Sequence, residues 1–280
     1  MREAARDARR IARLALRALH EELRCYPKPG LVSPLDRGSH DDMDAALFLR
    51  SLFALRHYYR DIAAAAGAAP AFAALERLGR AAEQHMLCAT GGRNTHRGAV
   101  FSLGLLAAAA GALRTAGVSV RGEALGECVH RRWGAAILAA GRKASPSHGL
   151  TVRRRYGAGG ARAEAAAGFP HVFEIGLPAW RAALSHGVGR RRATLHCFFS
   201  LLAVLPDTNL LYRAGPAGLA FAQDTARAFL AHGGVYRRGW EARAQALHRA
   251  FVVRRLSPGG AADLLAATLF VHALHETDGA

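Results

Sequence analysis

The apolar residues of this chain recur at helical spacing, and alternating strand patterns are almost absent. Ile11, Leu14, Ala15, Ala18 and Leu19 fall on one helix face, because residues three and four apart are neighbours there. Ala and Leu, both strong helix formers, dominate the rest. After this first helix the pattern predicts a Pro/Gly-rich break over 26–39 and a helix over 41–62. Further helices are expected over 72–89, from 98 to 115, and over 122–140, 179–185, 193–205, 218–232, 241–253 and 261–275. The stretch 143–168 is rich in Gly, Arg, Ser and His. It is too long for an ordinary connection and reads as a functional or mobile loop. No internal repeat or linker interrupts the 280 residues, so the expected fold is all-α, one compact multi-helix domain with Gly-rich functional loops.

Hydrophobic residues make up 51% of the chain, which excludes disorder. The net charge is +17, and only Lys28 and Lys143 contribute lysine. Arginine is the better planar fork for phosphate, so a polyanionic partner is one reading; the base composition of the coding DNA is the other. The arginines are dispersed and no DNA-binding motif carries them, which argues against a nucleic-acid partner. Cys25, Cys88, Cys128 and Cys197 form no CxxC pair, which suits a reducing cytoplasm better than a zinc module or a disulfide framework. Residues 1–19 lack the apolar core of a secretory signal. The most apolar run, Gly98 to Leu113, is 16 uncharged residues, short of the roughly 20 that span a bilayer. A cytoplasmic protein with no membrane partner is therefore expected.

The informative residues are acids planted in apolar runs. Asp263 is the only charged residue between Arg255 and Glu276, and Asp207 the only one between Arg192 and Arg213. A lone buried carboxylate is costly unless it is paired, hydrogen-bonded or metal-bound. Asp207 can alternatively cap a helix, and Asp263 can sit in a first turn facing the helix dipole. Glu22 and Glu83 continue the apolar stripes of their helices. A second cluster, Ser39-His40-Asp41-Asp42-Met43-Asp44, places Asp41 and Asp44 three apart, on one face of the expected helix. Such a pair suits Mg²⁺, which takes few protein oxygens and prefers phosphates for the rest. A capping box with Ser39 as cap and Asp42 three residues on is the competing account. A third cluster, Thr90-Gly91-Gly92-Arg93-Asn94-Thr95-His96-Arg97-Gly98, sets amides, hydroxyls and cations in a turn before a helix. Free backbone N–H groups at a helix N-terminus make an anion site, although GxxxxGK[ST] is absent. The fourteen histidines contain no HExxH, and GAGGAR at 157–162 lacks the strand context of a dinucleotide fold.

Taken together these motifs resemble one family, the triphosphoribosyl-dephospho-coenzyme A synthases. The matching segments are PKPGLV at 27–32, GSHDDMD at 38–44, Glu83 and Met86 before ATGGRNTHRGAVFSLGLL at 89–106, SHG at 147–149, GARAEAAAGF at 160–169, DTNLLYRAG at 207–215 and LSPGGAADLLA at 256–266. The resemblance implies a transferase whose substrates are ATP and 3′-dephospho-coenzyme A. The 2′-hydroxyl of dephospho-coenzyme A attacks ribose C1 of ATP, adenine leaves, and the triphosphate stays on the transferred ribose. The product feeds a phosphoribosyl-dephospho-coenzyme A transferase that loads the acyl carrier protein of malonate decarboxylase or citrate lyase. Arg97, where many relatives carry Lys, and the lack of a fused second domain resemble the malonate decarboxylase branch. The resemblance makes Asp41, Glu83 and Asp207 candidates for general-base work, and the same three with Asp44 candidates for Mg²⁺ accompanying ATP. Asn94, His96, Arg97 and Arg213, in a site that includes His40 and Thr90, become candidates for the triphosphate, Lys28 for a phosphate or the coenzyme pyrophosphate, and Asn209 and Asp263 for orienting ligands. A Mg²⁺-dependent glycohydrolase of ADP-ribose-type bonds needs similar groups. No oligomeric state follows from the sequence.

Overall fold

In a computed structural model the described residues are 2–142 and 148–278, and they form helices without any strand. The core is organised around α5 (Arg97–Thr115), buried almost all round from Ala99 to Ala112. Helices α1 (Arg2–Arg24), α3 (Tyr58–Ala66), α4 (Phe72–Ala89), α6 (Ala124–Arg142), α8 (Gly160–Ala166) and α13 (Gly259–Thr277) pack against it. Its small residues make this possible. A Cβ at Gly111 would lie 2.1 Å from the Ala63 carbonyl oxygen of α3. A Cβ at Gly104 would lie 2.1 Å from the Tyr58 hydroxyl, which donates to Val100 O at 2.9 Å. Among the described residues α5 is the one helix long and apolar enough to cross a membrane, and 72% of its apolar window is buried inside the protein.

Two expectations change. The helix expected over 41–62 is two helices, α2 (Ala45–Ala54) and α3, separated by a turn at Leu55–His57. Asp44 is extended at φ −143° and its side chain accepts from Leu47 N, so it starts α2 rather than standing inside it. Asp41 and Asp44 therefore share no helix face. Ser39 is not the cap either, since its hydroxyl faces Leu256 O at 2.6 Å. Both short helices pack on α1 and α4, and α3 in addition lays Tyr59, Ile62, Ala63 and Ala66 against the core beside α5. The stretch expected as a loop is largely helical over its described residues 148–168, with α7 (His148–Tyr156) and α8. Lys143 and Ser147, the latter from the SHG motif, lie outside the described residues.

The remaining helices follow the expected order with shifted ends: α9 (Leu177–Ser185), α10 (Arg190–Leu202), α11 (Thr208–Ala231) and α12 (Trp240–Val253). Helix α11 begins ten residues before the expected Gly218, because Asp207 caps it. It kinks at Gly215, φ 65° and ψ −165°, ahead of Pro216, where proline removes a helical hydrogen bond. The four cysteines are free.

Candidate active site

A cleft of about 1060 Å³ opens between α4, α8 and the N-termini of α5, α11 and α13. Single-ligand pockets hold roughly 300–1,000 Å³, so the space admits a large ligand or two together.

Two carboxylates tie the three helix starts to one another. Asp207, 1% exposed, caps α11 by accepting from Asn209 N at 2.8 Å and Leu210 N at 3.3 Å through Oδ1. Its Oδ2 accepts from Ala261 N at 2.9 Å, in the first turn of α13. Asp263, two residues further along α13, accepts from the Ala99 N–H at the start of α5. It therefore caps a neighbouring helix rather than its own. The glycines of the flanking motifs are explained by these approaches. A Cβ at Gly259 would lie 2.6 Å from Asn209 Nδ2, and one at Gly260 would lie 3.0 Å from Asp207 Oδ2. At Gly98 it would lie 1.8 Å from Asp263 Oδ2. Gly98→Ala is expected to lose about 1–3 kcal/mol of stability and to displace Asp263. Thermal unfolding and turnover both equal to wild type would refute this.

Burial pushes the Asp263 carboxyl well above the ordinary carboxylate range, and the neighbouring Asp207 and Glu22 push it further. That favours the neutral acid. Asp207 is also raised by burial, against the opposing effect of backbone N–H groups from Ala261, Asn209, Leu210 and Gly260.

The same cleft also carries cations. Arg80, Arg97, Arg162 and Arg213 all line the cleft. Arg97 Nε lies 3.4 Å from Glu83, and the Asn94 side chain accepts from Arg97 N at 3.1 Å at the start of α5. Burial raises the Glu83 carboxyl despite Arg97, Arg80 and Arg162. His96 is 3% exposed, and burial holds it down to about 3. Its Nδ1 meets Ser51 Oγ at 2.7 Å, while Nε2 is buried without a partner. At the mouth, Arg213 donates to His40 Nδ1 at 3.2 Å and to the carbonyls of Ser39 and Arg255. Arginine has no acceptor, so His40 Nδ1 carries the lone pair and Nε2–H donates to Ser257 Oγ at 2.9 Å. Burial first, then Arg213, lowers His40 to about 4.

The cleft thus brings together nine expected residues: His40, Glu83, Asn94, His96, Arg97, Asp207, Asn209, Arg213 and Asp263. Four others lie off it. Lys28 is 1% exposed and its ammonium donates to the Glu22 carboxylate and carbonyl. Asp41 has an 87% exposed side chain facing Arg255. Asp44 caps α2, with Arg37 at 3.6 Å. The Thr90 hydroxyl donates within the turn after α4, to Met86 O or Arg93 O. Among the described residues no three His, Cys, Asp or Glu side chains gather to hold a metal on their own. The sequence reading missed Glu76, Arg80, Arg162, Glu164 and His171, which also line the cleft. Glu76 follows Leu75 on the cleft stripe of α4 that carries Gly79 and Glu83. Arg162 and Glu164 stood inside the GARAEAAAGF segment. His171 had no local signal.

Comparison with known proteins matches residues 8–280 to the family model of ATP:dephospho-CoA triphosphoribosyl transferase. The chain is similar to proteins named "probable 2-(5''-triphosphoribosyl)-3'-dephosphocoenzyme-A synthase" from several bacteria. That of Acinetobacter calcoaceticus is 37% identical over 264 residues, covering 94% of this chain and 90% of that protein. That of Pseudomonas paraeruginosa is 42% identical over 271 residues, with 94% and 90% covered. That of Azotobacter vinelandii is 40% identical over 282 residues, with 98% and 94% covered. No solved structure matches the chain.

Proposed function

Because the chain belongs to the ATP:dephospho-CoA triphosphoribosyl transferase family, we propose that it transfers the 5-triphosphoribosyl group of ATP to the 2′-hydroxyl of 3′-dephospho-coenzyme A and releases adenine. The observation that carries this reading is the convergence of the NTHRG, DTN and SPGG segments, on three helix N-termini, around one cleft of about 1060 Å³.

The chemistry fits these groups. A triphosphate needs donors and positive charge, which Arg97, Arg213, Arg80 and the helix starts supply. The unpartnered His96 Nε2 is a further polar atom for a ligand to satisfy. When bound with ATP, Mg²⁺ neutralises phosphate charge and takes few protein oxygens. Glu83, partly exposed and opposite Arg97, fits a single protein ligand of that kind. Asp41 and Asp44 stand outside the cleft, and Asp207 is committed to backbone N–H groups. Cleaving the bond from ribose C1 to adenine builds positive charge on the ribose, which nearby carboxylates stabilise. The leaving adenine takes the bonding electrons and needs a proton. Asp263, favoured as the neutral acid by its burial, is the proton donor in this reading.

The finer assignment is that the product primes the acyl carrier protein of malonate decarboxylase rather than citrate lyase, through a downstream transferase. It rests on Arg97 in the NTHRG segment.

The test is to incubate the protein with Mg²⁺-ATP, with and without 3′-dephospho-coenzyme A, measuring adenine by chromatography and the product by mass spectrometry. Adenine is expected only with both substrates, alongside a product carrying ribose and three phosphates. Adenine release from ATP alone would make the protein a glycohydrolase instead.

A further inference from the structure

We propose that His171, oriented by Glu164, is the general base that takes the proton from the attacking 2′-hydroxyl. This inference rests on the transfer reaction proposed above. His171 Nδ1 lies 2.7 Å from Glu164 Oε2, and its backbone N–H donates to Glu164 Oε1 at 2.9 Å. One carboxylate therefore fixes both the backbone and the ring. An ionised carboxylate only accepts, so Nδ1 carries the proton and Nε2 presents a lone pair. No protein group bonds Nε2 among the described residues, and both side chains line the cleft. Glu164 is 9% exposed and His171 25% at their side chains, so the acid is shielded while the ring stays accessible.

The backbone that delivers this ring is unusual. Gly168 has φ 85° and Phe169 φ 62°, a left-handed conformation that a bulky residue rarely adopts. Pro170 follows, and residues 171–176 form a π-helix. Local departures of this kind collect at functional sites. The segment is also locked to the elements that carry the acids. A Cβ at Gly176 would lie 2.2 Å from Thr268 Oγ1 on α13, and one at Gly160, heading α8, would lie 3.2 Å from Thr208 beside Asp207. The other base candidates are less free. The oxygens of Asp207 receive backbone N–H groups, Glu83 faces Arg97, and Asp41 lies off the cleft.

In the step, the hydroxyl oxygen forms its bond to ribose C1 while the bond from C1 to adenine breaks with its electrons leaving on adenine. The hydroxyl proton passes to His171 Nε2, and Glu164 stabilises the imidazolium that results. Adenine is protonated separately by Asp263. The charged groups acting on His171 are Glu164 of α8 and, more weakly, Glu174 of its own π-helix; no charged group of α9, α10 or α13, packed on that segment, acts on it among the described residues. Its hydrogen bond to Glu164 raises it above the ordinary histidine value.

His171→Gln is expected to lower kcat about 10²–10⁴-fold, with ATP and dephospho-coenzyme A affinities and unfolding temperature close to wild type. Glu164→Gln removes the charge that raises His171, so the acid limb of the kcat–pH profile is expected to move to lower pH. Turnover of His171→Gln within about twofold of wild type, or an unmoved acid limb in Glu164→Gln, would overturn the assignment. If His171→Gln does not fold, the Glu164→Gln profile decides alone. A wild-type protein that forms no transfer product would instead refute the proposed reaction.

Discussion

Lys28→Met is expected to lose about 3–5 kcal/mol of folding stability, the usual cost of removing one partner from a buried ion pair. The Lys28 side chain is 1% exposed and that of Glu22 8%, so water screens neither. The ammonium donates both to the Glu22 carboxylate and to the Glu22 backbone carbonyl. It thereby holds the end of α1 against the PKPG segment. Removing it strands a carboxylate and a carbonyl together. The double variant Glu22→Leu/Lys28→Met removes both charges and is expected to recover most of the loss, because apolar replacement of a whole buried pair is often neutral. Urea unfolding followed by circular dichroism measures both. A loss below about 1 kcal/mol in Lys28→Met would place the pair in the class of solvated surface bridges. The resemblance made Lys28 a candidate for a ligand phosphate; its burial against Glu22 makes it a residue of the fold.

Asp207→Asn is expected to lose about 2–4 kcal/mol and to reduce adenine release at least about tenfold where the protein remains folded. The carboxylate uses one oxygen for the first turn of α11 and the other for Ala261 N of α13. An amide offers one oxygen and one NH₂, so whichever way it turns, a donor faces a backbone donor. The side chain cannot swing clear, because Gly260 already lies so close that a Cβ there would be 3.0 Å from Oδ2. Helix α13 must then shift, and Asp263 moves with it, along with its contact to the Ala99 N–H of α5. The effect on turnover is thus positional. Unchanged unfolding together with near-normal adenine release would remove Asp207 from both roles.

Much of the candidate site's lining was legible in the sequence. The acids stranded in apolar runs, Asp207 and Asp263, do line the cleft, because a carboxylate kept inside an apolar face needs partners, which for these two are backbone N–H groups at helix starts. Glu83 was legible from its place on the stripe of α4, which lines the cleft while its Phe72 and Leu75 join the core. The cluster at 39–44 was misleading in detail. Proximity in sequence suggested a shared face for Asp41 and Asp44, but the chain enters α2 only at Ala45. His40 reaches the cleft, held by Ser257 and Arg213 from more than 170 residues away, with Asp42 and Met43 beside it, while Asp41 and Asp44 stay outside.

By itself, the sequence determined the helical class, most of the helices in their order and the family, because periodicity, propensity and motif spacing are local properties of the chain. Only the tertiary structure decided which charges are free. Lys28 and Glu22 neutralise each other inside the fold, Asp207 is consumed by two helix starts, and His171 is aimed by a carboxylate seven residues earlier through a strained turn and a π-helix. The availability of a charged group depends on burial and on hydrogen-bond partners brought from distant segments, and no local pattern in the sequence records either.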